Sequence, residues 1–313
     1  MRRLRDERGS VLAFTVIFIV VLLGVAALVI DVGSWFTEQR RLQSAADAAT
    51  LAAAQDLPNT TAASNDATRY AVANVSGLNP WTPTFPSSST ISISFSKDAP
   101  GFFSKFLGIN AMTVHAHAKA TVGVPAGLKY VAPIAVKDTA SCLFADTSCF
   151  GATKQLNFDE SNLTSSKFGL VRLDCAGDTA TFCNSSSTGS SQLIDWINNG
   201  FGDVLQAHKW YAGVTGEKIG PLSAALSNAG NVGKTLLFPV FDRADPTAGA
   251  FHVIGFAAYV IDRGGVLNWK NDTPGCRPSC KLLSGHFVTY IAHGVDTDPT
   301  GTNFGVRVIG LTE

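Results

Sequence analysis

The sequence predicts an α+β protein: a long N-terminal α-helix, transmembrane in its first part and amphipathic in its second, then a small α/β unit and a larger β-rich extracytoplasmic domain. Three observations predict it. Residues 11–30 form an unbroken, uncharged apolar run. Residues 31–57 are dominated by strong helix formers. Beyond them, short apolar stretches alternate with loops rich in Gly, Ser and Thr. The expected organisation is a cytoplasmic N-terminus over 1–10, a transmembrane helix over 11–30 and its continuation over 31–57. A small α/β unit follows over 58–123, and a β-rich domain over 124–313.

The apolar run reads VLAFTVIFIVVLLGVAALVI. At 1.5 Å per residue, twenty helical residues cover about 30 Å, the hydrocarbon thickness of a bilayer. Fifteen of them are Leu, Ile, Val or Phe, which favours insertion by roughly 5–9 kcal/mol as an upper figure. A cleaved signal peptide is the rival reading, with Gly24-Val25-Ala26 as a peptidase site. Against it, the run continues through Leu28, Val29 and Ile30, and signal h-regions are shorter. Arg2, Arg3, Arg5 and Arg8 precede the run, whereas Asp31 opens the other side, so the positive-inside rule places the N-terminus in the cytoplasm.

Composition narrows the function classes. Only 15% of the 313 residues are charged, below the roughly 25% of an average soluble domain. Formal charge is zero, with 24 basic and 24 acidic residues. No basic tract interleaved with aromatics occurs, so nucleic acid is not an expected partner. All six cysteines follow the apolar run, as three close pairs: Cys142 with Cys149, Cys175 with Cys183, and Cys276 with Cys280. An even number in an exported context predicts disulfides, and local pairing is one of the fifteen possible connectivities. A zinc reading has only the last pair at knuckle spacing, which is half a site.

In the continuation, Trp35, Leu42 and Ala49 recur every seven residues, with Ala45, Ala46, Ala52 and Ala53 beside them. The anchor therefore extends as one helix of about 45 residues, near 70 Å long. Its small-residue stripe suits packing on this chain's own globular part or on a partner helix. In the small unit, Asp66–Val75 reads as a helix and Asn79–Thr90 as a Pro- and Ser-rich linker. Ile91, Ile93 and Phe95 alternate with Ser as a strand. The short amphipathic segment PGFFSKFLGIN leads to a second strand over Met112–Val122, where His115 and His117 point the same way, toward solvent. Expected strands in the larger unit are Tyr130–Val136, Phe168–Leu173, Leu236–Phe241, Phe251–Ile261, Gly285–Ala292 and Phe304–Leu311. Expected helices there are Ser191–Asn198 and Pro221–Ala229.

Residues 7–57 carry an ordered set of motifs. Arg8-Gly9 precedes the span, Asp31-Val32-Gly33 follows it, and then come Arg41-Leu42-Gln43 and Ala45-Ala46-Asp47-Ala48-Ala49. This set resembles the N-terminal module of the Flp pilus-assembly TadE/TadG-like proteins. The motif residues are Gly9, Asp31, Gly33, Arg41, Leu42, Gln43, Ala46, Asp47 and Ala49. The resemblance implies a bacterial single-pass membrane protein whose partners are the lipid bilayer and proteins of the Tad/Flp pilus or secretion apparatus. It does not imply a processed pilin. Type IV-like prepilins carry Glu five residues after the processed Gly, and the fifth residue after Gly9 is Phe14. Some TadG-type proteins carry an Asp-x-Ser-x-Ser metal site, but the candidates at Asp146 and Asp159 each fail at the last position.

Catalytic and ligand-binding patterns start and do not complete. Gly230-Asn-Val-Gly233-Lys234-Thr235 approaches a phosphate loop, but Asn228 stands where Gly is required, so no nucleotide is expected. No G-x-S-x-G is present. Ser284, His286, His293 and Asp262 or Asp242 could furnish a hydrolytic set only if the fold gathers them. Asp296 and Asp298 fit a turn better than a calcium loop. The expectation is a membrane-anchored, non-enzymatic component of Tad/Flp pilus assembly, secretion or adhesion, with no cofactor. The alternative is a tethered extracytoplasmic binding or hydrolytic domain that uses the anchor for localisation.

Overall fold

The structure is a computed structural model that describes residues 8–139, 150–158, 168–180, 189–214, 224–226, 228, 230–262, 268–269, 281–293, 295–298 and 300–312. It is α+β, with a long apolar N-terminal helix and a β-rich remainder. The chain divides into two compact units, Met1–Val122 with Gly310–Glu313, and Gly123–Ile309.

The first unit opens with helix α1, Arg8–Ala54, 47 residues long. Between residues 11 and 30 every side chain is exposed except the half-buried Ala27. Past Ile30 the helix acquires a buried face made of Asp31, Leu42, Ala45, Ala46, Ala49 and Ala52–Ala54. Helix α2, Thr60–Asn74, begins six residues before the expected Asp66. The Asn59 side chain accepts from Ala62 N at 3.1 Å and caps the helix. That cap draws in a polar Thr/Ser turn of modest helix propensity.

The expected linker over 79–90 contains a strand, β1, Thr84–Ser87. It pairs with β2, Thr90–Pro100, at the edge of the unit's sheet, where Pro86 is tolerated. A short 3-10 turn, η1, spans Ser104–Leu107, and β3 spans Ala111–Pro125. β2 and β3 run antiparallel from Thr90↔Thr121 to Pro100↔Ala111. Alternation puts Ile91, Ile93 and Phe95 with Val114, Ala116, Ala118 and Ala120 on the buried face. Trp81 meets Phe95 edge-on at 4.6 Å, and α1 packs against α2, β2 and η1. The C-terminal residues belong to this unit, Thr312 N donating to Lys119 O at 2.7 Å.

In the second unit the elements are β4 (Gly127–Leu128), β5 (Ile134–Lys137), β6 (Lys154–Phe158), β7 (Phe168–Gly177), α3 (Ser190–Asn199), β8 (Leu205–Gln206) and β9 (Lys209–Gly213). They continue as β10 (Thr235–Asp245), β11 (Ala250–Ile261), β12 (Asn268–Trp269), β13 (Lys281–Val288), β14 (Tyr290–Ala292), β15 (Thr297–Asp298) and β16 (Val306–Leu311). Strand pairing runs β10–β5–β7–β9–β11, and β11 pairs again with β10, so the strands close into a ring. Only β10–β5 is parallel within it. β13 extends from β11 beyond the stretch that pairs with β9. The core of this unit is aromatic, with Phe241 against Phe251 at 4.9 Å, Phe238 against Tyr259 at 5.4 Å and Tyr259 against Phe287 at 4.9 Å. Gly169 makes room for this filling, because a Cβ there would lie 2.4 Å from Phe251 Cζ.

Two expectations need correction here. The strand expected from Tyr130 starts at Ile134, because Tyr130 adopts a positive φ of 60° that ends extended backbone. The strand expected over Gly285–Ala292 is broken at Thr289 into β13 and β14, which pair with different partners, β11 and β16. Strands β6 and β9 were not expected. Of the helix expected over Pro221–Ala229, residues 224–226 are helical and most of the remainder lies outside the described residues.

Candidate functional site

The motif residues of 7–57 lie on α1, and three ties join that helix to the rest of its unit. Asp31, the first residue after the apolar run, is fully buried. Its carboxylate accepts from Phe102 N at 2.9 Å, from Phe103 N at 3.0 and 3.2 Å, and from Ser104 N at 2.6 Å. Burial alone would raise this carboxyl, but the Ser104, Phe102 and Phe103 N–H donors outweigh it and hold it below the usual carboxylate range. The carboxylate thus fixes the loop that joins β2 to β3 against α1. Sequence reasoning did not foresee this contact. The available signal was an acid beside a 20-residue apolar run, which must find donors if it is covered.

Gln43 makes the second tie. Its Nε2 donates to His117 O at 2.7 Å and to Asp47 Oδ1 at 2.8 Å, and its Oε1 accepts from His117 N at 3.3 Å. One amide therefore satisfies both backbone groups of a β3 residue while Asp47 orients it. Glu38 and Lys97 add an ion pair between α1 and β2. The third tie is apolar. α1 packs on α2, and their buried positions are nearly all alanine: Ala45, Ala46, Ala49 and Ala53 on one, Ala63, Ala67 and Ala71 on the other. The small-residue stripe is therefore used inside the chain, with Ala46, Ala49 and Leu42 wholly buried.

The other motif residues are placed differently. Gly9 lies in the first turn of α1. Gly33 has open space where a Cβ would be, and its carbonyl accepts from Thr37 Oγ1 at 2.9 Å. Arg41 is exposed. His115 and His117 are exposed on β3, and His117 Nε2 lies 2.8 Å from Ser92 Oγ.

In the second unit the structure gathers part of the hydrolytic set. His286 Nδ1 lies 2.8 Å from Asp262 Oδ1, and Thr153 Oγ1 donates to Asp262 Oδ2 at 2.8 Å. Ser284 is two residues before His286 on β13, but among the described residues no hydrogen bond joins its hydroxyl to that imidazole. Asp242 instead pairs with His252 at 2.7 Å, and His293 is exposed. Asp298 closes a turn, accepting from Thr300 N and Oγ1 at 2.8 Å, and its Oδ2 lies 2.6 Å from His208 Nε2. Burial would raise Asp298, but His208 and Thr300 hold it below the usual range. His208 and Asp298 border a cleft of about 410 Å³ with Gly127, Val204 and Asp296.

Lys234, the lysine of the incomplete phosphate loop, donates to Asn198 O at 2.8 Å, where α3 ends. Among the described residues no group of three or more His, Cys, Asp or Glu could hold a metal ion. Cys175 is disulfide-bonded. Cys142, Cys149, Cys183, Cys276 and Cys280 lie outside the described residues, as do Asp146 and Asp159.

The described part of α1 from Val11 to Ala54 is long and apolar enough to cross a membrane, and none of its most apolar stretch is buried in the chain. No curated protein and no solved structure matches the chain. The motif set that runs from Gly9 to Ala49 lies wholly within a match to the Tad family model, Flp pilus-assembly TadE/G-like, which covers residues 9–56.

Proposed function

We propose that the chain is a membrane-anchored, non-enzymatic component of the Tad/Flp pilus apparatus, acting in assembly, secretion or adhesion. The observation that carries this reading is the Tad match over residues 9–56, which contains an apolar run with no cover from the chain itself. Residues 11–30 span the cytoplasmic membrane with the four N-terminal arginines inside. Everything after residue 30 then lies on the far side, where disulfides form. Phe14 in place of the pilin Glu supports a resident accessory protein over a fibre subunit.

Two assays test the reading. Reporter fusions after residue 123 and at the C-terminus should be active only as extracytoplasmic enzymes. A strain lacking the chain should lose surface pili or their secretion, and a form lacking residues 1–30 should not restore them. Full restoration by that soluble form would refute an assembly role for the anchor. The His286–Asp262 pair supports a second reading, a tethered hydrolase with Ser284 as nucleophile. Under that reading Ser284→Ala and His286→Ala abolish the phenotype while the protein stays folded and at normal abundance.

A further inference from the structure

The loop that Asp31 holds is strongly apolar and uncovered. Phe102, Phe103, Phe106, Leu107 and Ile109 are all exposed, Phe106 to 89% and Leu107 to 78%. Exposed clusters of this kind mark a surface that meets something apolar. Its place along α1 narrows what that is. Asp31 follows Ile30, the last residue of the apolar run, by one helical rise of about 1.5 Å. Three consecutive backbone N–H groups, Phe102 to Ser104, are bonded to that carboxylate. The loop therefore sits at the level along α1 where the hydrocarbon ends, and it belongs to the same compact unit as the helix.

From this juxtaposition we propose that residues 102–109 are a second membrane contact, a loop that seats its Phe and Leu side chains in the bilayer interface beside the transmembrane helix. The inference rests on the reading of residues 11–30 as membrane-spanning. The chemistry fits an interfacial site. Phe and Leu are among the side chains that interfacial segments bury at the headgroup–acyl boundary. Lys105 lies between the phenylalanines and extends its ammonium toward lipid phosphate. Phe36, five residues beyond Asp31 on α1, is also exposed. The Asp31 contact serves both sides of the arrangement. It supplies donors to a carboxylate at the membrane boundary, where a bare charge is costly, and it fixes the loop at that depth. Anchoring at two points restrains the first unit against swivelling about a single helix.

Photo-crosslinking of the full chain in phosphatidylethanolamine vesicles containing phosphatidylglycerol tests this. p-Benzoylphenylalanine replaces, one at a time, Phe106 in the loop, Val20 in the apolar run and Tyr70 on α2. The expected result is lipid adduct at positions 20 and 106, with about ten-fold less at 70. Adduct at 20 without adduct at 106 overturns the loop contact and leaves the anchor standing. No adduct at 20 overturns the membrane-spanning reading and the loop contact with it. Adduct at 106 to protein instead of lipid, or equal lipid adduct at 70 and 106, also overturns the proposal.

Discussion

Replacing Gln43 by alanine removes two short hydrogen bonds and one long one, those to His117 O, Asp47 Oδ1 and His117 N. A typical intramolecular bond contributes about 0.5–1.5 kcal/mol net, and an i,i+4 side-chain pair on a helix about 0.2–0.5. His117 is exposed, so water can take over its freed N–H and C=O, and the lower part of those ranges applies. The expected loss is about 1–2 kcal/mol of local stability, which multiplies the open population of β3 by a factor of about 5–30. Hydrogen exchange read by mass spectrometry over residues 111–122, on the full chain in detergent, measures that factor.

Gln43→Glu separates the hydrogen-bond account from simple loss of packing. It keeps the volume, removes the donor and sets a second carboxylate against Asp47. Two like charges about 4 Å apart repel by about 1 kcal/mol in water and about 4 at an effective dielectric of 20. At pH 7, Gln43→Glu should therefore exchange faster than Gln43→Ala. The gap should close as pH falls through about 4.3, where the introduced carboxyl regains a proton to donate. Exchange of Gln43→Ala within two-fold of the unsubstituted chain would refute the reasoning. Slower exchange of Gln43→Glu than of Gln43→Ala at pH 7 would also refute it.

Other outcomes follow from the same geometry. Asp31→Asn leaves a single acceptor oxygen for three N–H donors, so amides 102–104 should lose protection while those of β2 keep theirs. Because the folded carboxyl of Asp31 lies below its unfolded value, its stabilising effect is complete above about pH 4 and is lost as pH falls through the depressed value. Amides 102–104 should accordingly become labile in acid before the rest of the unit does, as NMR-detected exchange would show. Gly285→Ala puts a Cβ 2.2 Å from Val260 O and 2.5 Å from the Tyr259 ring, so the second unit should lose about 1–3 kcal/mol in denaturant unfolding. Phe95→Ala opens a cavity in the first unit's core and should cost about 3–5 kcal/mol there; a loss below 1 kcal/mol would show that Phe95 is not packed as described.

What was legible in the sequence was local. The uncharged run and the Ala/Gln/Arg segment after it marked α1 nearly to its ends, because propensity and hydropathy act over neighbouring residues. β2 was legible through Ile91, Ile93 and Phe95, where alternation records one buried face. The motif residues were legible as a set, but their roles were not. The partners of Asp31 lie 71 or more positions away and that of Gln43 lies 74 away, distances at which no periodicity carries information. β1 was hidden by its Pro and Ser content, which an edge strand permits. The first turn of α2 was hidden because Asn59 supplies by capping what its Thr and Ser residues lack in propensity. Ser284 and His286 were visible as neighbours in a strand, and Asp262 joined them only through the β11–β13 pairing.

The closed ring of β10, β5, β7, β9 and β11 bears on how this chain matures. A polypeptide delivered N-terminus first presents β5 well before β10 has emerged, yet Val136 needs Val240 as its parallel neighbour. The first unit's helix pair and hairpin can form from nearby residues, whereas the ring waits for residue 261 and then must close a long loop. Until then β5 lacks its β10 neighbour and β9 its β11 neighbour, and these two unsatisfied ladder edges open a window in which capture by a like segment of another copy lowers the yield of mature protein.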